Sequence, residues 1–218
     1  MIIYINNKYN EKILKKMENK DKNKKDNSIK IILLGNQAVG KTALISAYED
    51  KQFSHETIST IGSEYIYKKL KIDEKEYKVQ LWDTAGQEKF RSVSKIYFKD
   101  SDIVIFVYDI TNEKSFNDLG EFWINYVKEL IGNDIVYGIA SNKIDLFENK
   151  KVEKEEGEKL AEDNGALFCE TSAKEDPKGF QKFVNDLVVR CISKRKNVPK
   201  EGNINLNRNK VKKKNNCC

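Results

Sequence analysis

Five short apolar runs, at residues 30–34, 77–82, 103–108, 135–140 and 166–169, alternate along this chain with stretches in which large apolar residues recur at helical spacing. Strands that run in the same direction need a crossover, and a helix is the usual one, so the alternation points to a mostly parallel sheet with helices on both faces. Most of the runs are continuous enough to be buried on both sides. Residues 65–72 add a sixth strand, expected at an edge. Helical spacing is clearest in Phe116, Leu119, Phe122, Trp123, Tyr126, Val127 and Leu130, and again in Phe180, Phe183, Val184, Leu187, Val188 and Cys191. That periodicity makes Trp123 a core residue and not a binding aromatic. No internal repeat is visible. A sheet of this kind holds its ligand at the carboxyl ends of its strands.

The 218 residues suffice for one sizeable core and are awkward for two. Residues 1–28 carry a charge of +4 and residues 194–218 a charge of +8, which leaves −6 for the stretch between them out of a total of +6. The positive excess therefore sits in the flanks, not on a folded surface among stacking aromatics, and this argues against a nucleic-acid-binding domain. A binder driven by the flanks would be salt-dependent and indifferent to nucleotide. Residues 6–27 are nearly all Asn, Lys, Asp and Glu, with Ile13, Leu14 and Met17 as their apolar cluster. Such a stretch can form a turn or two of amphipathic helix, but a disordered extension is expected. The division is thus 1–28 extension, 29–195 globular domain and 196–218 flexible basic tail. The apolar run at residues 1–5 is too short for a signal-peptide core or a membrane span, so synthesis in the cytosol is expected.

Gly35-Asn36-Gln37-Ala38-Val39-Gly40-Lys41-Thr42 follows the first strand and opens the first helix. It matches the P-loop pattern. Glycines let the backbone curl until its N–H groups converge on phosphate oxygens, the helix N-terminus adds positive potential, and Lys41 brings a point charge to the β and γ phosphates. Thr42 would ligate Mg²⁺. An ordinary glycine turn is the alternative, and the position between a strand and a helix disfavours it. The motif does not choose the base.

Four further segments resemble the Ras-like small GTPases. Trp82-Asp83-Thr84-Ala85-Gly86-Gln87-Glu88 is similar to that family's second phosphate-sensing loop. The resemblance implies that Asp83 holds Mg²⁺ through water, Gly86 gives its N–H to the γ-phosphate and Gln87 orients the attacking water. Asn142-Lys143-Ile144-Asp145 resembles the guanine-reading motif, in which the Asp145 carboxylate accepts both N–H donors on the edge of guanine. In a chain this rich in Asn and Lys the string alone could equally be a polar loop; its order and context strengthen it. Glu170-Thr171-Ser172-Ala173-Lys174 resembles the second guanine loop, with a backbone N–H near Ala173 meeting the base oxygen. Thr60 matches the switch threonine that touches Mg²⁺ and the γ-phosphate, and Phe53 matches an aromatic that packs on guanine. The motifs span about residues 29–193 in the expected order.

The resemblance implies a six-stranded Ras-like P-loop GTPase domain that binds GTP or GDP with Mg²⁺ and transfers the γ-phosphoryl group to water. Thr60 and Gly86 would hold two loops only while that phosphate exists. No Arg of the P-loop or first switch is placed to act as a finger, so turnover is expected to be slow without an activating protein. Within the family the chain is most similar to Rab proteins, through Ile61-Gly62, Trp82, Gln87-Glu88-Lys89-Phe90-Arg91, Tyr108-Asp109-Ile110-Thr111 and the terminal Cys217-Cys218. An aromatic triad read by Rab effectors maps onto Tyr65, Trp82 and Tyr97, beside Ile61 and Gly62; Tyr65 replaces the usual Phe. Simple packing of these rings is the alternative. Gln37, Thr42, Val79-Gln80-Leu81-Trp82 and Glu155-Glu156-Gly157-Glu158 are similar to a Golgi-associated Rab branch.

The resemblance further implies an exchange factor, an activating protein, effectors, and chaperones of the prenyl-transfer and GDP-dissociation-inhibitor type. Cys217 and Cys218 would be geranylgeranylated, and the lysines before them would favour an anionic leaflet; incidental thiols in a flexible end are the alternative. The expected location is the cytoplasmic face of a Golgi or endosomal membrane, in exchange with the cytosol. Cys169 and Cys191 fall at apolar positions and are read as small hydrophobes, with no disulfide or metal spacing. His55, the sole histidine, is assigned no role. Rival readings are a P-loop ATPase or nucleotide kinase, against which Asn142, Lys143 and Asp145 stand, and a GTP-binding scaffold with little hydrolysis, against which Thr42, Thr60 and Gln87 stand.

Overall fold

The computed structural model describes residues 27–51, 53, 63–84, 98, 100–132 and 134–197. The extension at 1–26, the tail beyond 197, and with it Cys217 and Cys218, lie outside the described residues. So do His55, Thr60, Ile61, Gly62, Gly86, Gln87 and Tyr97.

Six strands form one sheet: β1 Ser28–Leu34, β2 Ser63–Ile72, β3 Lys75–Thr84, β4 Ile103–Asp109, β5 Val136–Asn142 and β6 Leu167–Glu170. Each lies within two residues of its expected position. The order is β2-β3-β1-β4-β5-β6. β2 stands at one edge, antiparallel to β3, and all other pairs are parallel. The two-residue turn joining β2 to β3 has positive φ at both Asp73 and Glu74, the handedness that matches the twist of a hairpin.

Helix α1 spans Lys41–Tyr48, α3 Lys154–Asp163 and α4 Pro177–Asn197. Between β4 and β5 runs α2, made of an α-helical segment Glu113–Asp118, a π turn Leu119–Trp123 and a second α-helical segment Ile124–Ile131. Alternation along the strands sorts side chains to the two faces. Ile29, Ile31 and Leu33 of β1 join Ile105 and Val107 of β4 in a core closed by Leu44 and Tyr48 of α1 and by Phe180, Phe183, Val184 and Leu187 of α4. Ile32 and Leu34 join Val104, Phe106 and Tyr108 in a second core closed by Leu119, Trp123 and Val127 of α2 and Ala161 of α3.

The expectation of strands buried on both faces holds for β4 and β5, whose residues are all buried. It does not hold for β3, where Tyr77, Val79, Leu81 and Asp83 are buried while Lys78 is exposed and Gln80 and Trp82 are half-buried. No helix among the described residues covers that outer face near β2, so its alternate positions remain partly open to solvent. At the amino-terminal edge Arg195 of α4 donates to Ser28 O at 3.1 Å and pairs with Asp102 at 2.5 Å, and Asp102 in turn accepts from Lys30 N at 2.9 Å. This ties the last helix to the start of β1 and leaves the opposite edge for chemistry.

The two internal thiols are packed as expected. Cys191 is buried in α4, and burial pushes its thiol up to about 11; Cys169 of β6 is half-buried, and burial pushes its thiol up as well. The thiolate is the reactive form. Both cysteines are therefore expected to resist iodoacetamide at pH 8 in the folded protein and to react once denaturant is added. Mass spectrometry of the labelled peptides checks this.

Candidate functional site

Because β1, β3, β4, β5 and β6 are parallel, the segments that follow them emerge at one edge. The loop after β1 turns back into α1 with φ of 145° at Gly35, 65° at Ala38 and 97° at Gly40. A Cβ at Gly35 would lie 2.1 Å from the Val107 carbonyl oxygen, and one at Gly40 would lie 2.3 Å from Asn142 Nδ2. Glycine is required at both places by backbone angle and by space. Val39 is buried, while Gln37 and Ala38 are exposed.

Lys41 is 5% exposed, and its ammonium donates to Gly35 O and Asn36 O, both at 2.9 Å. Burial pushes its pKa down to about 8, opposed by the nearby Asp83 carboxylate. A cation held so far from water is costly without an anion, and the curled backbone beside it offers a place for one. Thr42, exposed at the start of α1, donates its hydroxyl to Asp83 Oδ2 at 2.6 Å. Asp83 is itself 5% exposed near the end of β3. A hydroxyl and a buried carboxylate are hard oxygen groups of the kind that hold Mg²⁺, directly or through the waters it keeps. The residues present thus fit the ion.

The segments after β5 and β6 are tied to the first loop by side chains. Asn142, 1% exposed, donates Nδ2 to Val39 O at 2.8 Å and accepts at Oδ1 from Ala173 N at 3.4 Å. It therefore joins three loops through one buried amide. Lys143 takes a left-handed φ of 66°, and its Nζ pairs with Asp109 Oδ2 at 2.6 Å. Asp145 follows on a 3-10 turn, Ile144–Asn149, where Oδ1 accepts from Ser172 Oγ at 2.5 Å. Ser172 Oγ also accepts from the backbone N–H groups of Lys174 and Glu175, at 3.2 and 3.0 Å. The carboxylate is thereby aimed by a hydroxyl that is itself fixed. The Lys174 side chain lies near Glu175, at 3.7 Å.

Of the expected site residues, the structure brings together those of the 35–42 loop with Asp83, Asn142, Lys143, Asp145, Ser172 and Ala173. Phe53 is 39% exposed and lies beyond the far end of α1. Thr60, Gly86 and Gln87 lie outside the described residues. Tyr65 stacks on Trp82 with centroids 4.7 Å apart and planes 19° apart, and Tyr65 is 53% exposed. Tyr65 is thus the exposed ring of the pair, while Trp82 is half-buried against the second core, with Lys30 Nζ 4.5 Å from its ring.

Two features escaped the sequence. Asp109, buried at the end of β4, accepts from Thr111 N and Oγ1 at 2.8 and 2.7 Å as well as from Lys143. A carboxylate closing a wholly apolar strand was the available signal, since buried charge needs partners. Trp123 is buried, as expected of a core residue, yet its indole N–H donates to Asn36 Oδ1 at 3.0 Å. The reading as core alone is therefore incomplete: periodicity places the ring and is silent on its polar end.

Comparison with known proteins agrees with this geometry. The model of the Ras family matches residues 30–193. The human Ras-related protein Rab-8B is 42% identical over 149 residues, covering 68% of this chain and 72% of the relative. The Ras-related protein Rab-8 of Diplobatis ommata is 43% identical over 149 residues, 68% of this chain and 70% of the relative. The human Ras-related protein Rab-21 is 41% identical over 165 residues, 76% of this chain and 72% of the relative. With residues 30–193 covered by the match, this chain belongs to the Ras family and is a small GTPase of the Rab type, a GTP hydrolase.

Proposed function

We propose that this GTPase is a membrane-anchored switch of vesicle traffic whose GTP form recruits effectors and whose GDP form releases them. The observation that carries the reading is the cluster at the carboxyl edge: the buried Lys41 cation, the Thr42–Asp83 hydroxyl–carboxylate pair and the Asp145 carboxylate held by Ser172, with Asn142 bonding the first loop to the segment after β6. Lys41 and the 35–42 backbone bind the phosphates, Asp145 and Ala173 read guanine, Lys143 and Phe53 flank the nucleoside, and Ser172 and Lys174 complete the second guanine loop. Thr42 and Thr60 would hold Mg²⁺, with Asp83 acting on it through water, and the ion would neutralise charge at the phosphates. Gln87 orients the attacking water, and Thr60 and Gly86 clasp their loops to the γ-phosphate.

The stacked Tyr65 and Trp82, with Tyr97, Ile61 and Gly62, form the surface that effectors read. An exchange factor loads GTP and an activating protein completes the hydrolytic site. Geranylgeranyl groups on Cys217 and Cys218 anchor the chain to the cytoplasmic face of a Golgi or endosomal membrane. Chaperones of the prenyl-transfer and GDP-dissociation-inhibitor type carry it through the cytosol. Each buried CH₂ contributes about 0.8 kcal/mol, so two chains hold where one would exchange.

The test immobilises the full chain loaded either with GDP or with a non-hydrolysable GTP analogue and passes cytosol over both. A set of proteins retained by the GTP form alone, and lost on Trp82→Ala, is expected. Identical retention by the two forms contradicts the switch.

A further inference from the structure

Asn36 is the second residue of the phosphate loop, and its side chain faces away from Lys41 toward α2. Its amide nitrogen donates to Asp118 Oδ2 at 2.5 Å and its amide oxygen accepts from Trp123 Nε1 at 3.0 Å. Both bonds join groups that are half-buried or buried, across more than eighty residues of sequence. Asp118 and Trp123 are five positions apart, and in a regular α-helix such residues point about 140° away from each other. The π turn Leu119–Trp123, in which Ile124 N donates to Leu119 O, widens the helix and turns these two side chains toward one side. The distortion of α2 thus has a geometric consequence: one asparagine is gripped by two donor and acceptor groups of a rigid helix.

We propose that Asn36, Asp118 and Trp123 form a clamp that presets the phosphate loop and sets how long the nucleotide stays bound. The proposal rests on the reading of this edge as a nucleotide site and goes beyond it by naming Asp118 and Trp123, outside the motifs, as positioning residues that act through Asn36. The loop it holds is conformationally expensive, with positive φ at Gly35, at the non-glycine Ala38 and at Gly40. Such a backbone persists where its surroundings over-determine it. Within the loop, Lys41 gathers the Gly35 and Asn36 carbonyls; outside it, the clamp fixes the Asn36 side chain. Loss of the clamp frees the loop between binding events, so each binding event must order it again and the nucleotide leaves sooner.

Exchanging the two amide and carboxylate partners tests this without altering side-chain size. Asn36→Asp sets one carboxylate against another and removes the donor to Asp118, whereas the double variant Asn36→Asp/Asp118→Asn restores a donor–acceptor pair and keeps an acceptor for Trp123. Release of fluorescent GDP is followed from the full chain in excess unlabelled GDP. Asn36→Asp is expected to speed release about tenfold, the loss of one hydrogen bond plus like-charge repulsion, and the double variant to return it to within about twofold of the parent. Trp123→Phe, which keeps a ring and drops the N–H, is expected to speed release by a few-fold, about the worth of one neutral hydrogen bond. Unchanged release in Asn36→Asp, or a double variant as fast as the single one, overturns the clamp. Thermal unfolding of the GDP-loaded variants is followed beside release: an Asn36→Asp chain that is folded at the assay temperature and releases faster supports the clamp, and faster release only in chains that are unfolding overturns it. Failure of the parent chain to hold fluorescent GDP at all would strike the nucleotide site itself and is distinguishable from failure of the clamp.

Discussion

Asp145→Ala is expected to weaken GDP and GTP binding by about 10²- to 10⁴-fold while leaving the fold intact. The carboxylate sits half-buried on the 3-10 turn after β5, with one oxygen accepting the Ser172 hydroxyl at 2.5 Å. Guanine offers two N–H donors on one edge, and a charge-assisted hydrogen bond to each is worth about 1.5–3 kcal/mol. Two such bonds give the range stated. The alanine also leaves both guanine donors without their acceptor, and a site that reads a ligand by hydrogen bonds discriminates more sharply than an apolar pocket does. Ser172→Ala is expected to have a smaller effect, about tenfold at most, because it removes the group that aims the carboxylate and not the carboxylate itself. Calorimetric titration with GDP measures both. An equal loss for GDP and ADP in Asp145→Ala would remove this residue from base reading.

Lys41→Met carries the second large effect, with opposite signs for binding and for stability. Removing the cation from the phosphates is expected to weaken nucleotide binding by about 30- to 5,000-fold, the range given by 2–5 kcal/mol for truncating one partner of a buried charged pair. In the nucleotide-free chain the same cation is a liability. Its folded pKa of about 8 lies below the ordinary lysine value of 10.5, so the unfolded chain binds the proton more tightly. That difference costs the fold about 3 kcal/mol below pH 8, and the cost fades as pH rises from 8 to 10.5. The nucleotide-free variant is therefore expected to be no less stable than the parent at pH 7, and the parent's advantage on raising the pH through that window to be absent from the variant. Urea denaturation of both nucleotide-free chains at pH 7 and at pH 9.5 measures the difference. A variant much less stable than its parent at pH 7 would show that the Lys41 bonds to Gly35 O and Asn36 O outweigh its desolvation.

The sheet was legible because its strands carry their own signal. Residues 103–108 are apolar throughout and form β4, buried on every side; residues 65–72 mix Lys68, Lys69 and Lys71 with apolar residues and form the edge strand β2. The site motifs were legible for a related reason: each of Gly35, Asp83, Asn142, Asp145 and Ser172 stands at or just beyond a strand end, Lys41 opens the helix that the first of these loops feeds, and parallel pairing carries those ends to one edge. What a linear reading missed is what depends on distance across the fold. Asp109 lies 34 positions before Lys143, and the ion pair between them exists because β4 and β5 end side by side. Nothing in the periodicity of α2 marks the π turn, since Leu119, Trp123 and Val127 stay buried with or without it. The reach of Trp123 to Asn36 follows from that local widening, so it could be seen only in three dimensions.

The most direct measurement is displacement of fluorescent GDP from the purified chain by unlabelled nucleotides in the presence of Mg²⁺. Asp145 and Ala173 reading the base, with Lys41 holding the phosphates, predict that GDP and GTP compete at least about a thousandfold better than ADP and ATP. Equal competition by guanine and adenine nucleotides would contradict the assignment of this edge.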